Sequence, residues 1–290
     1  MIERISFIDT HGNETLLTDP PNIKYLYGRT GAFITEFDTI EEKTPGRPGV
    51  KLQVMTIEPV EVELPFRVRG SNAADLWGRL RRMRQAFNPM LGDGYLRVTS
   101  PDGVQREMKG RFIDFIVKED SKSSFYNDNI PSFQDILLVF KGFEGVWEST
   151  STITKTFTTG SVVNFFPILP LRLASSTVFS SDNVTNNGDL EAYPVFTITG
   201  PGNNIALNNL TTSKTISFSD LTLSVGETLT IDTKAGTIVK NGYIEAYSSL
   251  DWGCSLWPLV PGENKISIEM SGGTENSSVV ISYKERFIGL

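Results

Sequence analysis

The sequence has one cysteine and one histidine in 290 residues. Cys254 alone cannot form an internal disulfide, and a cysteine-based zinc cage needs at least two thiolates. His11, the only imidazole, lies in the turn THGNE, and no nucleophile-elbow motif occurs elsewhere. We therefore predict no metal, no cofactor and no enzymatic activity.

The sequence also lacks an excess of positive charge and any long apolar run. Its net charge is −7, so no overall basic field would hold a nucleic acid or an anionic membrane. The amino terminus MIERISFIDTHG has no unbroken apolar stretch of the secretory type. The apolar run VVNFFPILPL is interrupted by polar and proline residues and is too short to span a bilayer. We expect no nucleic-acid specificity, no membrane insertion, and synthesis in a cytoplasm without a signal peptide.

The stretch NNGDLEAYPVFTITGPG, from Asn186 to Gly202, ends in glycines and invites comparison with phosphate-binding loops. Such loops open a helix, whose free N–H groups face the anion. Here Gly200-Pro201-Gly202 leads into a β-type sequence, and proline removes one N–H donor. We interpret the glycines as a turn that ends a strand.

Charge and hydroxyl content change near the middle of the chain. Residues 1–150 contain 19 Lys and Arg and 22 Asp and Glu, whereas residues 151–290 contain 8 and 12. Serine and threonine rise from 18 to 36 across the same division. Such a shift predicts two domains, 1–149 and 150–290, with the boundary near Ser149.

The first half reads as strands with one helix. VEVELPFRVRG alternates between apolar and charged residues, which indicates a half-buried strand, and Pro65 suggests an edge or a bulge. SNAADLWGRLRRMRQAFNP predicts a helix capped by Ser71 or Asn72, with Leu76, Leu80, Met83 and Phe87 on its buried face. FDTIEEKTPGRPGVKLQ, rich in charge, proline and glycine, predicts a projecting arm or hairpin.

The second half contains short strands separated by turn signals, including Asn241-Gly242 and the Gly-Gly pair in EMSGGTEN. No helical pattern occurs in it. The fold class we predict is mainly β: an N-terminal β-sandwich domain with one α-helix and the projecting arm, followed by a jelly-roll β-sandwich.

The order of these features resembles the siphophage distal tail protein family. The first half is similar in the GRPG arm and in DLWGRLRRMRQAFNPMLGDGYLRVTSPDG. The second half is similar in NNGDLEAYPVFTITGPGNNIALNN, LSVGETLTIDTKAGTIVKNG, LWPLVPGENKISIEMSGG and VVISYKERFIGL. Two departures exist: FKGFEGVWES stands where relatives often have aspartate-proline, and no additional carbohydrate-binding insertion is present.

The resemblance implies a structural virion protein at the distal end of a phage tail, made in the host cytoplasm. Copies would form a hexameric ring through their N-terminal domains, and galectin-like C-terminal domains would project outward. The implied partners are the chain itself, the tail tube protein, and baseplate or receptor-binding proteins. The predicted subunit-interface residues, from the arm and the helix, are Glu41, Glu42, Lys43, Arg47, Val50, Arg79 and Arg82.

Two other classes of function stay open from the residues. A carbohydrate-binding module is favoured by aromatic side chains in the second half, since aromatic faces stack on sugars; the candidate glycan or partner contacts are Tyr243, Tyr247 and Trp252. A hydrolase could use Glu61 and Glu63, although Arg67 and Arg69 on the same face favour a charge-balanced surface. The helix arginines would pair with carboxylates of their own or of a neighbouring subunit.

Overall fold

A computed structural model describes residues 4–26, 35–43, 45–46, 48–117, 132–158 and 177–290. The chain divides into two compact units: Met1–Thr150 together with Phe287–Leu290, and Ser151–Arg286. The last four residues thus belong with the first unit, a return that the proposed division into 1–149 and 150–290 did not include. Within the described residues, no helix is both long enough and apolar enough to cross a membrane.

Strands dominate both units. In chain order they are β1 (Arg4–Ile8), β2 (Glu14–Leu16), β3 (Ile23–Tyr25), β4 (Phe37–Glu42), β5 (Lys51–Ile57), β6 (Val60–Gly70), β7 (Gly94–Thr99), β8 (Gln105–Val117), β9 (Ser132–Gly142), β10 (Trp147–Ser149), β11 (Ile153–Thr158), β12 (Thr177–Asn186), β13 (Val195–Thr199), β14 (Gly202–Asn209), β15 (Lys214–Leu223), β16 (Thr228–Asp232), β17 (Thr237–Lys240), β18 (Ile244–Glu245), β19 (Gly262–Ser271), β20 (Ser278–Tyr283) and β21 (Arg286–Phe287). The α-helix α1 spans Ala73–Ala86, and short 3-10 helices span Pro89–Leu91 and Tyr247–Ser249.

The first unit is built on one hydrogen-bonded sheet with the order β2-β1-β7-β8-β9-β6-β3, and β10 pairs with β8. Helix α1 packs against β6 and β9. Its N-cap is Asn72, whose side chain accepts a hydrogen bond from the Asp75 backbone N–H at 2.8 Å. Leu76, Leu80 and Met83 are buried as the helical spacing predicted. The mainly β fold class is confirmed, with one α-helix in the described part of the chain and a separate two-stranded hairpin.

Aromatic packing fills the core beneath this sheet. Phe7 contacts Phe112 edge to face, with ring centroids 5.0 Å apart, and also meets Phe87 and Phe140 at 5.8 and 6.3 Å. Edge-to-face contacts stabilise beyond the area that they bury. The cluster joins β1, β8, β9 and the residue after α1 into one core.

Strand β6 confirms its predicted pattern. Its apolar residues are buried, and β9 flanks it on one side along its whole length, whereas β3 flanks it on the other side only from Phe66 to Val68. Pro65 lies opposite Leu137 with no shift of register, so the prediction of a bulge is wrong, and the prediction of an edge holds among the described residues for the Val60–Leu64 half alone. The Pro65 carbonyl accepts from the Leu26 N–H on the β3 side, where the regular ladder with β3 ends at Phe66. Because a residue's N and O point to the same side of an antiparallel strand, the missing N–H of Pro65 falls where that ladder stops.

The end of the chain completes the first unit. The Arg106 guanidinium lies 3.8 Å from the centre of the Phe287 aromatic ring and donates to the carbonyl of Gly289. The Thr35 N–H donates to the Ile288 carbonyl at 2.7 Å. Stacking and hydrogen bonding therefore fix these terminal residues to the unit that begins the chain.

The second unit is a sandwich of two sheets, with the orders β11-β20-β13-β16-β17-β18 and β12-β19-β14-β15. The side chains between them form one continuous core. Strands β19 and β20, which flank the Gly-Gly turn, lie in different sheets, so the chain crosses between sheets there and does not form a hairpin. The Asn241-Gly242 turn does form one: both residues have positive φ, and β17 pairs with β18 across them.

The Glu227 side chain stabilises one turn of this sandwich through hydrogen bonds. Its carboxylate accepts from the Ser224 backbone N–H at 2.7 Å, the Lys240 ammonium at 2.9 Å and the Asn241 amide at 3.1 Å. These hydrogen bonds lower the pKa of Glu227 to about 2, with the Ser224 N–H as the largest cause.

This pKa predicts acid sensitivity in the second unit. The stabilisation by the ionised carboxylate is fully present above the unfolded pKa of 4.5 and is lost as the pH falls toward about 2. We expect Glu227→Gln to unfold at a lower temperature than the natural chain at pH 7. The difference between the two melting temperatures should disappear between pH 4.5 and pH 2, and thermal unfolding followed by circular dichroism measures both temperatures. A difference that stays constant across this pH range would contradict the lowered pKa of Glu227.

Candidate interaction surfaces

The clearest candidate surface is the hairpin of β4 and β5, called here the arm. Its two strands form a sheet of their own, with register pairs from Phe37 opposite Ile57 to Glu42 opposite Lys51. Every residue of β4 is exposed, and so is every residue of β5 except Ile57. The exposed apolar side chains are Phe37, Ile40, Val50, Leu52, Val54 and Met55. Such a concentration of exposed apolar side chains on a two-stranded hairpin is typical of an interaction site.

The arm contains most of the predicted subunit-interface residues. Glu41 and Glu42 lie at the end of β4, and Lys43 and Val50 lie in the connection to β5; all four are exposed. Arg47 lies outside the described residues. The Glu42 carboxylate accepts from the Gln53 amide at 2.7 Å within the hairpin.

The other predicted interface residues lie on α1. Arg79 forms an ion pair with Asp75, one turn earlier on the helix, at 3.1 Å. This pair lowers the pKa of Asp75, after the larger effect of the Ser71 backbone N–H. Arg82 is exposed, as are Arg81 and the half-exposed indole of Trp77. Arg79 is therefore engaged within its own helix, whereas Arg81 and Arg82 present charge outward.

One edge of strand β6 is only partly paired with a neighbouring strand among the described residues. Strand β3 pairs with β6 from Phe66 to Val68 and not beyond. Within the described part of the chain, the Val60–Leu64 half of β6 has no strand on that side. Backbone groups along such a stretch can accept a strand from another chain.

Three exposed aromatic residues of the second unit lie in the turn after β17 (Tyr243), at the start of the second 3-10 helix (Tyr247) and after that helix (Trp252). Tyr243 is 80% exposed, Tyr247 is half exposed, and the Trp252 side chain is fully exposed. Trp257, five residues further on, is completely buried in the core of the sandwich. Trp257 is therefore a core residue, whereas Trp252 is a surface residue.

A hydroxyl and carboxylate cluster holds this segment against β15. The Asp251 carboxylate accepts from the Ser217 and Ser219 hydroxyls at 2.6 and 2.7 Å and from the Ser219 backbone N–H at 3.0 Å. These bonds lower the pKa of Asp251, the Ser217 hydroxyl most. The sequence gave no signal for this cluster, because Asp251 lies more than thirty residues after the two serines.

The residues considered for chemistry occupy structural positions. His11 lies in an exposed turn, where the Asp9 carboxylate accepts from its backbone N–H at 2.8 Å. Glu61 forms an ion pair with Lys141 at 2.9 Å on the charged face of the sheet, and Arg67 pairs with Asp135 at 2.7 Å. Across the described ranges, no three His, Cys, Asp or Glu side chains come together as a metal site would require.

Comparison with solved structures shows the class to which this architecture corresponds. The fold matches a crystal structure of the Dit (gp 19.1) protein of phage SPP1, described as a paradigm of hub adsorption apparatus in phages that infect Gram-positive bacteria, with a TM-score of 0.69 and 14% identity over 99% of this chain and 100% of the other. It also matches a chain of the phage P2 baseplate in its activated conformation with Ca, with a TM-score of 0.54 and 10% identity over 98% of both chains. This chain thus shares the two-unit fold of these two proteins.

Comparison of the sequence with known protein families gives a match to part of the chain. Residues 187–287 match the family of siphovirus-type tail components, C-terminal domain. This part of the chain carries that domain, and the similarity to siphophage distal tail proteins stated from the sequence is confirmed. No curated protein is similar enough in sequence to match the chain.

Proposed function

We propose that this protein is a structural component of a phage tail tip, where copies close into a hexameric ring between the tail tube and the baseplate or tail fibre. The observation that carries the proposal is the exposed apolar arm on a tail-hub fold. The ring would be a virion structure at the distal end of the tail. No catalytic role is assigned to it.

The arm favours assembly because an isolated two-stranded hairpin is marginal in water. Among the described residues, strands β4 and β5 pair only with each other, and their apolar side chains are exposed except for Ile57. Docking on a neighbouring copy would remove that apolar surface from water at about 25 cal/mol per Å². A seven-residue strand such as β5 spans roughly 23 Å, enough to reach an adjacent subunit.

Strand addition is the docking mode that the sheet supports. The Val60–Leu64 half of β6 lacks a neighbouring strand among the described residues, and a hairpin from the next copy could pair there. Such a contact joins two different surfaces, head to tail, and produces a closed ring when the rotation between copies closes. Each copy would then donate one arm and accept one.

The second unit is the proposed docking module for other tail proteins. Its sandwich holds the exposed aromatic segment of Tyr243, Tyr247 and Trp252, and exposed tyrosine and tryptophan are favoured at protein interfaces. The partners we propose are the tail tube protein on the side of the first unit and adsorption or receptor-binding proteins on the second.

Immunogold labelling tests the location in the virion. Antibodies raised against the purified chain, applied to virions that encode it, should place gold at the distal end of the tail and nowhere on the capsid. Pre-immune serum is the control. Label along the whole tail, or only on the capsid, would contradict the proposed role.

A second function is favoured by the full exposure of Trp252. An indole in water at the tip of a sandwich can stack on a sugar face, which would make the second unit a module that recognises host-surface glycans. The partner and the glycan hypotheses use the same three aromatic residues and differ in the ligand.

The glycan hypothesis makes a specific prediction. On a glycan array, Trp252→Ala in the full chain should lose binding about fivefold, because aromatic stacking contributes roughly 1 kcal/mol. Tyr243→Phe, which keeps an aromatic ring in place, should bind nearly as the natural chain does. Absence of any array signal from the natural chain would exclude this function.

A further inference from the structure

We propose that residues Phe287–Leu290, called here the strap, hold the root of the arm in the position from which the arm assembles. The root consists of Thr35 and Glu36 before β4 and of Glu58 after β5. The strap and the root both belong to the first unit. The part of the inference that concerns assembly rests on the proposed ring, whereas the part that concerns the root stands on contacts within one chain.

The position of the arm depends on its root. Strands β4 and β5 pair with no other strand among the described residues. The two ends of the hairpin meet at the root, where the Glu58 backbone N–H donates to the Glu36 carbonyl at 2.9 Å. A hairpin of two strands has little stability of its own. What holds Thr35, Glu36 and Glu58 therefore decides how firmly the arm is attached to the first unit.

Two distant parts of the chain hold Thr35, which is only 2% exposed. Its backbone N–H donates to the Ile288 carbonyl at 2.7 Å, and its hydroxyl donates to the Gly145 carbonyl at 2.7 Å. Removal of either acceptor would leave a buried polar group unsatisfied, which costs more than a hydrogen bond contributes. The strap thus supplies one of two anchors to the residue that lies two positions before β4.

Gly145 shows how closely the other anchor fits the root. A side-chain carbon at Gly145 would lie 2.1 Å from the Glu58 carbonyl oxygen, so a larger residue could enter only if the backbone shifted. Gly145 also has a φ of +65°, a conformation that glycine adopts readily. This anchor belongs to the connection between β9 and β10. Without the strap, the root would keep this anchor and lose the other.

The strap is itself attached to the sheet of the first unit. Arg106, on β8, stacks on the Phe287 ring with its guanidinium 3.8 Å from the ring centre, and it donates to the Gly289 carbonyl. Phe287 and Leu290 pack against the hydrophobic core of this unit. Arg106 therefore contacts the residues on both sides of Ile288 and positions the carbonyl that accepts from Thr35.

Hydrogen exchange measured by mass spectrometry tests the strap in a variant that lacks Ile288–Leu290. The protein is kept at a concentration below that of ring formation, and circular dichroism checks that the variant is folded. We expect the amides of Thr35–Phe37 and Ile57–Glu58 to exchange about fivefold faster than in the natural chain, because local opening becomes easier when a hydrogen bond is lost. The amides of β16, in the second unit, serve as the internal reference and should exchange as before.

Ile288→Ala is the matched control for the deletion. This variant keeps the backbone carbonyl and shortens a side chain that is already exposed, so exchange at the root should equal that of the natural chain. Arg106→Lys is a milder variant that leaves the strap in the sequence. Lysine keeps the charge but cannot stack on Phe287 as a planar guanidinium does. We expect root exchange between that of the natural chain and that of the deletion. Equal root exchange in the natural chain and in both weakened variants would overturn the inference.

Ring formation tests the link to assembly. An arm with a loose root has to be ordered when it docks, which weakens every interface. We expect the deletion variant to need about a tenfold higher concentration for ring formation than the natural and Ile288→Ala chains. Rings at the natural concentration, despite faster exchange at the root, would overturn the role in assembly. If the natural chain forms no ring, the proposed function fails, and exchange at the root still decides whether the strap holds the arm.

Discussion

A chain lacking Glu41–Val50 is expected to remain folded and to stay monomeric under conditions in which the full chain forms rings. The deletion removes the end of the arm, with its two glutamates and the exposed Val50. The natural pairing of Ile40 with Val54 can still close through the three residues Lys51–Gln53, a length that hairpins use. Light scattering after size exclusion measures the mass.

The physical reason is the loss of a contact repeated at every interface. A ring of identical copies closes only if each junction holds, so one shortened arm per copy weakens all junctions together. The control is an exposed ion pair of the second unit: Lys155→Gln with Asp182→Asn should leave assembly unchanged, since neither residue lies on the arm or on β6 and exposed ion pairs contribute little. An intact ring from the shortened chain would show that the arm does not close it.

Of the substitutions proposed for this chain, Trp257→Ala is expected to lower the free energy of unfolding most. Its indole is completely buried, meets Phe196 edge to face at 5.0 Å, and donates its N–H to the Leu207 carbonyl at 3.3 Å. Truncation of a buried tryptophan costs about 3–5 kcal/mol, a large part of the roughly 5–15 kcal/mol by which a domain is stable. Scanning calorimetry should show the transition of the second unit shifted down by on the order of 10 °C.

Trp252→Ala is the matched control for this substitution. It removes the same side chain five residues away, but from a fully exposed position, and should change the unfolding free energy by less than about 0.5 kcal/mol. Equal losses of stability from the two variants would contradict the burial assigned here. The pair therefore separates the core role of one indole from the surface role of the other.

Local features of the fold could be predicted where a residue pattern has one physical outcome. The alternation in VEVELPFRVRG placed Val62, Leu64 and Phe66 in the core, because side chains on a strand point to opposite faces in turn. The helix was bounded by a cap at Asn72 and a stop before Pro89. The arm was predicted from its charge, proline and glycine content.

What failed in the prediction depends on distant parts of the chain. Pro65 suggested an edge or a bulge because proline lacks a donor, but the sequence does not show that a neighbouring ladder ends at that residue. The return of Phe287 to Arg106, across 181 positions of the printed sequence, leaves no local signal. The Asp251 cluster with Ser217 and Ser219 was missed for the same reason.

Some residues of the candidate surfaces could also be predicted from the sequence. The aromatic residues of the second unit were found because tyrosine and tryptophan are conspicuous, and the structure places them at the surface. Arg79 was predicted with Arg82 as an interface residue, and its ion pair with Asp75 agrees with the expectation that the helix arginines pair with carboxylates of their own or of a neighbouring subunit.

Negative-stain microscopy of the purified chain is the most direct test of the proposed ring. We expect hollow rings with six-fold symmetry, built from this chain alone and lost when Glu41–Val50 is deleted. A compact monomer of 32.1 kDa at every accessible concentration would contradict it.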